Sequence, residues 1–177
     1  MRFVALLRGI NMGGNKMLAM SDLRALAAAV GLGEVQTLLH SGRPVMLAPP
    51  ELSDDFDDRI AIGWNGSAQA VRAMTSALPL LATARETVLL VLGEAGEASA
   101  QNALDYLAWH DVRARSVQLP IAPRAGLGQQ LLAQAAAEGA GLLAIGAYGH
   151  MPGRELLFGG ATREILAATR IPLLLAH

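Results

Sequence analysis

From residue 59 onward, short apolar runs alternate with stretches whose apolar residues return every three or four positions. The first pattern is that of strands, the second that of helices packed by one face. Residues 59–64 predict a strand. Asn65-Gly66-Ser67 predicts the turn after it, with Ser67 capping a helix over 68–82. Val71, Met74, Leu78 and Leu81 share a face of that helix, and Pro79 is expected to bend it. Residues 87–92 are almost continuously apolar, as in a strand covered on both sides. Ser99 predicts the cap of a helix reaching Trp109, with Ala103, Leu104 and Leu107 inward. Residues 115–119 alternate and suit a strand nearer the sheet edge. A helix over 127–138 turns Leu131, Leu132 and Ala135 to one face. A strand over 142–145, a helix over 162–169 and a strand over 172–176 complete the series. This alternation predicts an α/β fold with a parallel sheet, helices on both faces and right-handed crossovers.

Upstream, residues 2–7 predict a strand, 9–16 a glycine- and asparagine-rich loop, and 35–39 a second strand. Between them Ser21 can cap a helix over 22–30, with Asp22 in its first turn and Gly31 ending it. The result is a short β-α-β appendage. Residues 43–48 predict one more strand, and the acidic stretch 51–58 a solvated linker. Three parts are therefore expected: 1–42, a fragment; 43–58, a strand and linker; and 59–177, the main domain. A weak repeat connects two of them: Arg43-Pro44-Val45-Met46-Leu47-Ala48 parallels Ile171-Pro172-Leu173-Leu174-Leu175-Ala176. Each proline opens its strand, where a missing N–H does least harm.

Composition narrows the function classes. Of 177 residues, 53% are hydrophobic and 16% charged, which allows a full core. The net charge of −1 leaves no electrostatic footprint for nucleic acid. There is no cysteine, hence no disulfide and no thiolate chemistry. The run Phe3–Leu7 is too short for a signal peptide, and no stretch approaches the ~20 apolar residues of a membrane span. A soluble, cytoplasmic protein is expected. His40, His110, His150 and His177 are scattered without metal-ligand spacing. No lysine follows the glycines as in a Walker loop, and no catalytic triad can be assigned. No catalytic residue and no metal ligand is expected, so the chain reads as a non-enzyme.

The candidate chemistry lies in residues 146–162. Gly146, Gly149 and Gly159 are spaced Gly-x2-Gly-x9-Gly between a strand and a helix. Gly-x-x-Gly alone is an ordinary turn. Placed between strand and helix, glycines let backbone N–H groups approach an anion such as phosphate at the helix's positive end. In a doubly wound fold, ligands bind beyond the carboxyl ends of the strands where strand order switches. The loops 63–67 and 146–160 are expected to meet there.

The full spacing, with Trp64-Asn65-Gly66-Ser67 and Phe158-Gly159-Gly160-Ala161-Thr162-Arg163-Glu164, resembles the universal stress protein (UspA-like) family over residues 41–177. The resemblance implies a Rossmann-like sheet of five parallel strands in the order 3-2-1-4-5. It implies a site for ATP, with Mg as companion cation, at Gly63, Trp64, Asn65, Val91, Ile145, Gly146, Gly149, Gly159, Gly160, Ala161 and Thr162. Val91 would contact adenine and the glycines the phosphates. Two positions depart from the pattern. Asn65 stands where ATP-binding members carry Asp, and Gly160 where the motif has Ser or Thr. Trp64 has a second reading as a core residue. A nucleotide-free dimerisation or interaction module with the same fold is the alternative, and an enzyme such as a weak ATPase is a third reading. The resemblance also implies a homodimer through the last strand, from Pro172 to Ala176. The segment 43–48 is the other candidate to cover that edge. Residues 4–14 and 20–26 resemble the start of an unrelated bacterial domain family of unknown function, confined to about 1–42. The chain thus reads as a chimera.

Overall fold

A computed structural model describes residues 5–6, 44–49, 53–120, 126–146 and 158–176. The expected helix over 22–30, the strand over 35–39 and the loop residues Gly149 and His150 lie outside the described residues. The strands are β1 (Ala5–Leu6), β2 (Val45–Leu47), β3 (Arg59–Trp64), β4 (Glu86–Leu92), β5 (Ala114–Leu119), β6 (Leu142–Gly146) and β7 (Leu173–Ala176). The helices are α1 (Ala68–Leu81), α2 (Gly93–Trp109), α3 (Leu127–Ala137) and α4 (Phe158–Ala168).

The sheet runs β1-β2-β7-β6-β3-β4-β5. Its pairs β7-β6, β6-β3, β3-β4 and β4-β5 are parallel, so the main domain has the expected five-strand order. The sheet is longer than expected by two strands. β2 joins β7 antiparallel, and β1 joins β2 antiparallel. Of the two candidates to cover the edge of β7, the segment 43–48 that carries the repeat fills it within the chain.

Side chains alternate across the sheet with the period of a strand. Ile60, Ile62, Leu89, Val91, Leu142, Ala144 and Leu174 pack on one face with Met74 and Ala77 of α1 and Leu107 of α2. Ala61, Leu90, Leu143, Ile145, Leu173 and Leu175 pack on the other with Leu131 of α3 and Ile165 of α4. Both faces are covered, which is why the central strands read as unbroken apolar runs. Each fully buried leucine or isoleucine contributes about 1.5–3 kcal/mol.

Three boundaries differ from expectation. Helix α2 begins at Gly93, directly after β4, and Ser99 is an interior residue rather than a cap. Its hydroxyl bonds the carbonyl of Ala95 at 2.8 Å, an internal partner that a capping signal in sequence does not distinguish. Helix α4 begins at Phe158, ahead of Gly159 and Gly160. The described part of the linker, 53–58, is not simply solvated. Arg85 N and Glu86 N both donate to Asp58 O, at 2.8 and 3.1 Å. Phe56 packs against the α1/α2 core, and its carbonyl lies where a Cβ on Gly141 would be, 2.4 Å away. The acidic residues hid one aromatic anchor.

Candidate functional site

Three carboxyl-terminal strand ends and the helices that follow them build the candidate site. After β3 the chain turns through Asn65, whose Oδ1 accepts from Ser67 N at 3.2 Å and from Ser67 Oγ at 2.7 Å. The same Ser67 Oγ accepts from Ala70 N at 3.2 Å and caps α1, as expected. Gly66 completes the turn at φ +73°, a left-handed conformation that glycine adopts without strain. At the end of β6, Gly146 lies against the start of α1. A Cβ there would stand 2.7 Å from Ala70 N and 2.6 Å from the Gln69 carbonyl carbon. The absent side chain lets strand and helix meet.

Gly63, Asn65, Ile145, Gly146, Ala161 and Thr162 line one small cleft at this end of the sheet. Asn65 and Thr162 are two of the three buried polar residues among those described. The cleft encloses about 10 Å³, space for about one water. Leu92, Leu131 and Ile165 also line it. The sequence marked Leu131 only as a helix-face residue, and Leu92 and Ile165 carried no signal beyond apolar periodicity. None of these lining residues titrates, so the cleft itself offers no acid or base. Gly159 and Gly160 lie in the first turn of α4, the helix that carries Ala161 and Thr162 into the wall.

Two expected site residues point elsewhere. Trp64 and Val91 face the α1/α2 layer, across the sheet from Ile145 and Leu131. Trp64 is 3% exposed and its Nε1–H donates to Ser99 Oγ at 2.9 Å. Its alternative reading, a core residue, describes its place in the fold. Val91 is likewise covered. The backbone of Gly96 fills the space around both: a Cβ on it would lie 2.9 Å from Trp64 O, 3.2 Å from Asn65 Cα and 3.2 Å from Val91 Cγ1. The early start of α2 puts this turn beside Asn65 and against Val91, the residue for which the resemblance implied an adenine contact. Gly149 lies outside the described residues. Among the described residues no group of three or more His, Asp or Glu is arranged to hold a metal ion.

With this topology the chain has the fold of the universal stress proteins. A universal stress protein from Archaeoglobus fulgidus DSM 4304 superposes with a TM-score of 0.60 at 16% identity, over 77% of this chain and 50% of that one. The hypothetical protein MJ0577, whose biochemical function was assigned from its structure, gives 0.54 at 16% identity, over 68% and 96%. A universal stress protein in complex with cAMP gives 0.51 at 17% identity, over 68% and 97%. By sequence, the chain belongs to the family described as protein of unknown function DUF1697, matched over residues 1–113. That match continues through β3, α1, β4 and α2, past the join expected near residue 42. No curated protein matches the sequence. No helix among the described residues is long and apolar enough to cross a membrane.

Proposed function

We propose that the chain is a stress-response module of the universal stress type that binds a nucleotide by its phosphates. The observation that carries this reading is the convergence of Gly63, Asn65, Gly146 and Thr162 on one cleft at the switch in strand order. The first turn of α4, with Gly159 and Gly160, supplies N–H groups that have no partner within their own helix, at its positive end. These groups, not a side-chain hydroxyl at position 160, are assigned to the phosphates. ATP is the expected ligand, with Mg carried by the phosphates rather than by protein carboxylates. A cyclic nucleotide, the ligand named for one structural neighbour, shares the phosphate chemistry. The base lies outside the space between Asn65 and Val91, since Gly96 occupies it. The role is binding and signalling, without turnover, in the cytoplasm. Mass spectrometry of the freshly purified, denatured protein tests this: a co-purified adenine nucleotide supports it, and its absence together with no retention of added ATP opposes it.

The second reading is a nucleotide-free interaction module with the same fold. The 10 Å³ cleft and the filled space beside Val91 favour it, because small-molecule sites ordinarily enclose about 300–1,000 Å³.

A further inference from the structure

We propose that the amino-terminal ends of the strands form a second binding site, which takes a small monocarboxylate with an apolar body and holds its charge on Arg170. The site is independent of the glycine-walled cleft, which lies at the opposite, carboxyl-terminal ends of the same strands.

A cavity of about 530 Å³ opens where β3 and β4 begin, at Arg59 and Glu86, and where the chain enters β6 and β7, at Gly141 and Pro172. Small-molecule sites ordinarily enclose about 300–1,000 Å³. This cavity falls in that range, and the cleft of about 10 Å³ at the other end does not. The linker forms one side. Gly141 leaves room for the Phe56 carbonyl, which would stand 2.4 Å from a Cβ there, and so keeps Phe56 in the wall.

The charges in the wall select the ligand. Three arginines and three carboxylates line the cavity, so the wall as a whole is neutral. The carboxylates are engaged. Asp58 pairs with Arg85 Nε at 3.2 Å, and Glu86 with Arg59 Nε at 3.6 Å and with Arg115 Nη2 at 2.8 Å. The Asp55 carboxylate accepts from the Ser53 hydroxyl. Among the described residues, Arg170 is the lining cation without an ion pair. A guanidinium fork matches a carboxylate through two parallel hydrogen bonds. The three wall carboxylates would repel a polyanion such as a nucleotide triphosphate, because like charges brought together are costly. One negative charge is what the wall accommodates.

The backbone at Arg170 is fixed. Thr169 Oγ1 donates to Ile171 O at 2.8 Å and accepts from Ile171 N at 3.3 Å, so one hydroxyl clasps the chain around the arginine. Pro49, Phe56, Ile171 and Pro172 add apolar wall. A single anchoring charge with apolar surface around it is the ordinary make-up of a small-molecule site. A carboxylate carrying hydrocarbon fills both parts, whereas a bare inorganic anion leaves the apolar part unused.

Hexanoate is the probe, titrated into the isotope-labelled full chain and followed by the backbone amide signals. It should shift Gly139, Gly141 and Ile171 saturably and leave Gly63 and Gly146 in place. Arg170 is exposed, so its replacement leaves the fold intact. Arg170→Gln should weaken hexanoate binding about ten-fold or more, the loss of one charge-assisted pair, and Arg170→Lys should restore part of it. Hexanol has the chain without the charge, and inorganic phosphate has charge without the chain. Each should bind about ten-fold more weakly than hexanoate or worse. No saturable shift with hexanoate, equal affinity in the Arg170→Gln protein, or hexanol or phosphate binding as well as hexanoate would overturn the proposal.

Discussion

The indole N–H of Trp64 donates to Ser99 Oγ at 2.9 Å, tying the end of β3 to the interior of α2. Ser99 passes the bond on to the carbonyl of Ala95, and Gly66 fits beneath the same carbonyl. The turn after β3 is thus held from above by α2. This contact explains why a tryptophan beside the candidate site serves packing.

Trp64→Phe should cost about 1 kcal/mol of stability, the value of one buried hydrogen bond. The two tryptophans make this easy to read. Trp109 is 83% exposed and Trp64 is 3% exposed. Trp109→Phe should leave blue-shifted fluorescence that acrylamide quenches poorly. Trp64→Phe should leave red-shifted, readily quenched emission. Equal quenching in the two variants would contradict the placement of Trp64.

Gly146→Val should destabilise the fold whether or not a ligand binds. Its side chain would meet backbone atoms of Gln69 and Ala70, which cannot yield as a flexible side chain would. Overpacking of this kind costs about 1–3 kcal/mol. Urea unfolding without nucleotide would show the loss. An unchanged midpoint would mean that α1 does not lie on the end of β6.

The Arg115 guanidinium bonds the carboxylates of Glu138 and Glu86, joining β5 to the end of α3 and the start of β4. The hydrogen bond from Arg115, with a second from Gln134, holds the Glu138 carboxyl below the ordinary glutamate range. A depressed carboxyl stabilises the fold above its unfolded value, and that contribution disappears as pH falls through the folded value. Wild-type protein should therefore lose more stability than Glu138→Gln on acidification below the ordinary glutamate range, and the two should respond alike to pH above neutrality. Thermal unfolding at a series of pH values checks this. Parallel acid profiles would show that the bond contributes nothing.

Much of the fold could be read from the residues alone because buried parallel strands must be apolar throughout and helices must repeat their apolar face. Residues 59–64, 87–92 and 142–145 satisfied the first condition, and Leu131 with Ala135 the second. The start of α2 was missed because Gly93 and Gly96 look like loop residues, while in the fold Gly96 gives the helix room against Trp64. Residues 43–48 read as a strand and, through the repeat, as one candidate to cover the edge of β7, but their antiparallel pairing leaves no local trace in sequence. At the site, Gly63, Asn65, Ile145, Gly146, Ala161 and Thr162 were expected together and are together. Trp64 and Val91 were not separable from them in sequence. The alternation of a strand assigns them to the opposite face only once the face of each neighbour is known.

The central claim, phosphate recognition at the glycine-walled cleft, is tested most directly by calorimetric titration of the full chain with ATP and Mg. Measurable binding is expected, with ADP and cAMP competing. Gly159→Val, and Gly149→Val from the same sequence motif, should abolish it, because a side chain in place of a motif glycine blocks approach of the phosphates to the backbone N–H groups. Val91→Ala should leave the affinity within about two-fold, because truncating a side chain that makes no ligand contact changes binding by less than ~0.4 kcal/mol. No heat at millimolar nucleotide, with the protein shown to be folded, would contradict the account and leave the nucleotide-free module in its place.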